Sequence, residues 1–166
     1  MRESICSPAS RFSAHTSSAA RSGLANALYG NRSFDEALAV VESWLRADPD
    51  HPDALQLKFL VLNALGRRDE AGEALKAFAK QDPEAAAELL FRRAELDFKA
   101  DDREAARPGL EQAVKLNPRL ARAHYLLGLI LYSLDRGKAK GHLQRFLELT
   151  PVDPVAADAR LLVEVQ

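Results

Sequence analysis

The sequence predicts an all-α fold: four helical hairpins in series, closed by one further helix. Three observations predict it. First, one phrase recurs along the chain: Asp35-Glu36-Ala37 with Asp48-Pro49, Asp69-Glu70-Ala71 with Asp82-Pro83, Glu104-Ala105-Ala106 with Asn117-Pro118, and Ala139 with Thr150-Pro151. Each alanine stands 12 residues before its proline, and successive prolines are 34, 35 and 33 residues apart, a period that marks a repeat array. Second, apolar residues within each repeat recur at the four-and-three spacing that gathers them on one helix face. Third, each run is bounded by residues that stop helices.

Residues 1 to about 16 mix Ser, Pro and Ala without period, with Arg2, Arg11 and a single acid, Glu3. They lack the unbroken apolar core of a secretory signal, and a disordered or loosely packed tail is expected in preference to a targeting segment. A first helix is predicted from Ser17 to Gly30, with Leu24, Ala25 and Leu28 at helical spacing and Gly30-Asn31 as the stop. Ser33 is placed to N-cap a second helix, Phe34 to Ala47, whose spine is Ala37, Val41 and Trp44. Asp48-Pro49 ends it, because proline lacks an N–H and biases the residue before it away from the α region.

The pattern then repeats. Helices are predicted over Asp53 to Leu65 and Asp69 to Lys80, with Gly66 between them and a spine of Ala71, Leu75 and Phe78. The third repeat runs from Glu84 to Ala100, turns at Asp101-Asp102, and continues on a spine of Ala106, Leu110 and Ala113. The fourth runs from Leu120 to Ser133, turns at Asp135 to Gly137, and continues on Ala139, Leu143 and Phe146. Val155 to about Val163 forms the last helix, covering the fourth repeat with Val155, Ala159, Leu162 and Val163 and showing Asp158, Arg160 and Glu164 to water. A mid-helix residue at Ala25, Phe59 and Ala94 lies 12 before the spine alanine, but Gly128 lies 11 before it. The fourth repeat has therefore lost a residue in its internal turn. The third repeat's extra residue falls before its first helix. Turns are where a stacked array tolerates such changes. Pro108, two residues past Ala106, predicts either a kinked helix or one that starts late enough to make it a first-turn residue.

Composition narrows the function. The chain has 166 residues, 47% of them hydrophobic, with 23 Lys plus Arg against 24 Asp plus Glu. That balance offers no clustered positive charge for phosphates, so nucleic acid is not expected as a partner. Cys6 is the only cysteine, which precludes an internal disulfide and a cysteine metal cage. No apolar run approaches the roughly 20 residues a bilayer demands, and a cytoplasmic protein without membrane insertion is expected. His15, His51, His124 and His142 form no metal-ligand spacing, and no P-loop, GxSxG or Gly-rich phosphate cradle occurs. Catalytic residues, metal and cofactor are all expected to be none.

These residues resemble the tetratricopeptide repeat family, a 34-residue pair of antiparallel helices. The fourth repeat carries the pattern most fully, in His124, Leu127-Gly128, Leu131-Tyr132, Ala139, Phe146 and Pro151; the second supplies Leu55, Leu62, Gly66, Ala71, Phe78 and Pro83. The resemblance spans about Ser17 to Pro151. It implies an α-α superhelix of four tetratricopeptide-type hairpins, at about 18–51, 52–85, 86–120 and 121–153, with a capping helix at 154–165. Together, 17–166 make a single repeat domain. Close helix pairs need small residues, here Ala25 with Ala37, Ala94 with Ala106, and Gly128 with Ala139. Phe59 replaces the small residue in the second repeat, so that hairpin is expected to splay. Asp97 and Lys58 stand at usually apolar positions, and Trp44 and His124 are read as packing residues.

The resemblance also implies that the first helices line a concave groove holding a peptide or a partner's helix. Read at i, i+4, i+7, the groove positions are Ser22, Asn26 and Tyr29; Gln56, Leu60 and Asn63; Phe91, Glu95 and Phe98; and Tyr125, Leu129 and Tyr132, with Arg92 and Arg122 at the edge. The groove thus starts polar and becomes aromatic. Phe91 and Phe98 are left open between groove and core, while Tyr125 and Tyr132 are expected in the groove, with their hydroxyls in water. A clamp for a C-terminal carboxylate is not expected, since Ser22, Leu57 and Glu88 stand where Asn26 and Arg92 would need helpers. The function expected is a non-enzymatic protein-interaction scaffold for another protein or peptide, monomeric or weakly homo-oligomeric. Alternatives are a self-assembling unit using its end helices and, opposed by Glu88 and Glu95, an RNA-binding helical repeat.

Overall fold

A computed structural model describes residues 17–164. The expected N-terminal tail lies outside these residues. The described chain is an all-α helical repeat: α1 Ser18–Gly30, α2 Phe34–Ala47, α3 Pro52–Ala64, α4 Arg68–Gln81, α5 Pro83–Lys99, α6 Arg103–Leu116, α7 Ala121–Leu131, α8 Arg136–Leu149 and α9 Ala156–Glu164. Two compact units divide between Asp82 and Pro83. In the first, α1 pairs with α2 and α3 with α4, and α3 packs on α2 and α1. In the second, α5 pairs with α6 and α7 with α8, while α7 packs on α6 and α9 on α8.

The alanine–proline phrase works as two separate devices. The spine residues Ala37, Val41 and Trp44, Ala71, Leu75 and Phe78, Ala106, Leu110 and Ala113, and Ala139, Leu143 and Phe146 are all buried. Trp44 is a core residue, packed with Ala25, Val41, Ala54 and Leu57. At the other end, Asp48, Asp82, Asn117 and Thr150 each precede a proline and each leave the helix with φ between −129 and −143. That is the extended conformation a following proline enforces.

The turns inside the first three hairpins are one structure made three times. Arg32, Gly66 and Asp101 adopt positive φ, of 63, 74 and 61°. The next residue's N–H then reaches back to a carbonyl five positions earlier: Ser33 to Leu28, Arg67 to Leu62, Asp102 to Asp97. This is the Schellman ending, which satisfies carbonyls a helix end would otherwise leave unpaired. The fourth hairpin lacks it; Asp135 N–H bonds Leu131 O at 2.7 Å instead. The residue missing from that repeat is thus missing from the turn, as its spacing predicts.

Several expectations need correction. α1 ends at Gly30 with Asn31 as its C-cap, as expected, but the left-handed position that follows is taken by Arg32 and not by a glycine. Ser33 stands at the N-cap of α2 but makes no side-chain cap, unlike Ser17, Asp102 and Asp135. Gly137 lies in α8, since Asp135 caps that helix through Lys138 N–H at 3.0 Å. The third repeat's extra residue is not held in a loop: α5 starts at Pro83 itself, so only Asp82 separates it from α4. Proline suits that first helical position because its missing N–H would be unpaired there anyway. Phe59 does not splay its hairpin, for it is buried and α3 packs on α4 as extensively as α1 on α2. For Pro108, the late start is excluded: α6 begins at Arg103, capped by Asp102 through Ala105 N–H at 3.0 Å, and carries the proline inside it. Pro108 is exposed, which leaves the carbonyl it cannot bond within reach of water.

Candidate partner-binding face

The positions expected to line a groove lie on the first helix of each hairpin, and the two units present different chemistry there. In the N-terminal unit the face is polar. Asn26 is exposed on α1, and its amide donates to Ser22 O at 2.9 Å and to Ser22 Oγ at 3.3 Å. Asn63 on α3 is half-buried and donates to Phe59 O at 2.9 Å. Both side chains thus bind back to their own helix and leave their amide oxygens able to accept an N–H from outside. Gln56 and Leu60, two turns and one turn before Asn63 on α3, are half-buried. Tyr29 is half-buried against Phe34, ring centroids 5.6 Å apart.

In the C-terminal unit the face is aromatic and carries arginines on its rings. Phe91 is 4% exposed, with the Arg122 guanidinium 5.7 Å from its centroid. Arg122 also donates to Glu95 Oε1 at 3.2 Å, tying α7 to α5, and Glu95 holds Lys99 at 3.3 Å as well. Phe98 is half-buried beneath Arg103 at 5.9 Å, and Tyr132 lies beside Arg136 at 5.2 Å. Leu129 is half-buried on α7. Arg92 is exposed and paired with Glu88 at 3.0 Å.

Tyr125 departs from expectation. Its ring packs on Phe146, centroids 5.0 Å apart, against the cluster that Val155, just before α9, and Leu162 and Val163 of α9 cover. Burial raises its hydroxyl above the usual tyrosine range, and the charges of Asp158 and Asp153 add to that. Tyr125 is therefore half-buried, with part of its ring packed against the cluster that α9 covers. Helical spacing alone could not show this, because it places Tyr125 in register with Tyr132 but is silent on what packs over each.

The sequence reading also missed contacts made across hairpins. Arg122 and Glu95 are 27 residues apart and meet through packing. Repeat register gave no signal for the pair, since it aligns Arg122 with Glu88 and Glu95 with Leu129. Among the described residues no group of three or more His, Cys, Asp or Glu could hold a metal ion, and no helix is long and apolar enough to cross a membrane.

The tetratricopeptide repeat family model matches residues 14–52, 22–86 and 91–154. Among curated proteins none matches the chain. Among solved structures, MamA is 26% identical, with 84% of this chain and 80% of that one aligned at a TM-score of 0.53. A MamA fragment from Desulfovibrio magneticus RS-1 is 23% identical over 86% of this chain and 83% of that one, at 0.53. YrrB, described as a tetratricopeptide repeat protein with an unusual peptide-binding site, is 22% identical over 86% and 72%, at 0.51. These likenesses carry the fold.

Proposed function

The chain belongs to the tetratricopeptide repeat family, and from that premise we propose that it is a protein-interaction scaffold whose first-helix faces hold a partner's peptide or helix. The observation that carries the finer part is the C-terminal unit's strip of Phe98, Leu129 and Tyr132. All three are half-buried, and Arg103 and Arg136 lie on the two aromatic rings. An arginine on a ring is held there weakly when exposed, by about 0.5–1 kcal/mol. A carboxylate from a partner can compete for it with a charge-assisted, two-point hydrogen bond. Beneath it the ring and Leu129 would take an apolar side chain. The partner this face suits is an extended segment or helix that alternates apolar and acidic residues. The polar face of the N-terminal unit, with Asn26 and Asn63, suits main-chain N–H groups of an extended peptide.

The test is selection of peptides from a random display library. The wild type is expected to enrich apolar-acidic sequences, and Leu129→Ala/Tyr132→Ala is expected to lose them while keeping its Tm within a few degrees. Equal enrichment by that variant would overturn the reading. A second reading, self-assembly through the end helices, draws support from Leu161, which is 60% exposed on α9. A light-scattering mass that rises with concentration, and ceases to do so in Leu161→Glu, would favour it.

A further inference from the structure

His124 and His142 face each other between α7 and α8, with Nδ1 to Nδ1 at 3.0 Å. His124 Nε2 lies 3.2 Å from the carbonyl oxygen of Pro118. A carbonyl can only accept, so that nitrogen carries a hydrogen. In neutral His124 the Nδ1 is then bare, and the hydrogen in the 3.0 Å contact belongs to His142 Nδ1, which donates. One added proton can go to His142 Nε2 and leave both hydrogen bonds intact. A second has only His124 Nδ1 to occupy. There it would oppose two N–H groups and two positive rings across the same short distance.

Burial, the largest influence of the surroundings, acts in the same direction. His124 is 7% exposed and His142 half-buried. Burial pushes both imidazoles below the ordinary histidine value, and at His124 the charge of His142 and of Arg145 on α8 adds to this. Glu111 on α6 favours charge on His142, although it also pairs with Arg107 at 2.7 Å. Pro118 O favours the charged form of His124. Asp153 and Asp158, which flank and lie on α9, bear on Tyr125.

We propose that the His124–His142 pair is an acid-sensitive latch between α7 and α8, closed with no proton or one proton added and opened by the second. It stands whether or not the face of α7 binds a partner. The folded state binds fewer protons than the unfolded chain, so the stability it contributes is full above about pH 6.5. It is lost as the pH falls below that and through the depressed values of the folded pair.

The experiment compares Tm at about pH 7.5 and about pH 5 in the wild type and in His124→Leu, which places an apolar side chain in the same buried position. The wild type is expected to lose several degrees more than the variant on acidification. An equal loss in both would overturn the latch. Should His124→Leu fail to fold, 15N spectra of the wild-type imidazoles decide. His124 held as the Nε2–H tautomer and titrating only after His142 supports the proposal, and two rings titrating independently near the ordinary histidine value refutes it.

Discussion

Gly128 lies directly beneath Leu143: a methyl group at position 128 would stand 2.7 Å from Leu143 Cγ and 3.4 Å from the carbonyl oxygen of Ala139. Here α8 leaves no room for a side chain on α7, which explains why a residue costly to a helix sits within one. Gly128→Ala should therefore destabilise the protein by about 1–3 kcal/mol through overpacking, even though alanine is the better helix former by about 1 kcal/mol. Gly72, also within a helix, has nothing within 4 Å of such a methyl, and Gly72→Ala should stabilise by about 0.5–1 kcal/mol. Chemical denaturation of the two variants checks both signs at once.

The three Schellman turns give a second pair of opposite signs. Gly66 holds a φ of 74° with open space around it, whereas Arg32 holds 63° with a side chain that gains nothing from that conformation. Gly66→Ala should lose about 1 kcal/mol and Arg32→Gly should gain a comparable amount. If the two variants unfold at the same denaturant midpoint, left-handed strain is not what distinguishes these turns.

Asp102 caps α6 through its side chain, while Ser33, at the matching position of α2, does not. Asp102→Ala should cost about 1 kcal/mol, and Ser33→Ala should be close to neutral. Thermal unfolding of the two alanine variants, side by side, measures the difference. Asp135 caps α8 in the same way, and the hydrogen bond from Lys138 N–H, followed by its side-chain bond to Lys138, holds its carboxyl below the usual range. Its contribution is present above the ordinary carboxylate pKa and is lost as the pH falls through the lowered one.

Tyr125 and Leu129 are both half-buried on α7, but Tyr125 packs against the cluster that α9 covers and Leu129 does not belong to it. Tyr125→Ala removes a ring packed on Phe146 under α9 and should cost about 2 kcal/mol, less than a fully buried aromatic. Leu129→Ala should cost well under half of that. Hydrogen exchange on α9 adds a local readout: Tyr125→Ala should deprotect it and Leu129→Ala should not. Equal deprotection would place Leu129 in the core as well.

The fold was legible because its rules are local. Alanine 12 residues before proline, an apolar spine and a turn residue are all read along the chain, and Ala37, Leu75, Leu110 and Phe146 are buried as their spacing predicts. The third repeat was misread where two local signals overlapped: a proline after an aspartate closes one helix and can also begin the next, and Pro83 begins α5. The face was legible only as a register. Helical spacing places Phe91, Glu95 and Phe98 on one side of α5. It does not reveal that Arg122 lies over Phe91 and bonds Glu95 from 27 residues away.

The sequence by itself determined the helices, their turns and the residues that face the core, because backbone sterics and the helical period act between near neighbours. Tertiary structure alone decided what packs over each side chain of the first helices. Tyr125 and Tyr132 are equivalent in register, yet one is packed under α9 and the other lies beside an arginine. It also brought His124 to His142, 18 residues apart, at hydrogen-bond distance. Exposure and ionisation depend on what the rest of the chain brings against a group, and that distance is set by packing, which no single helix contains.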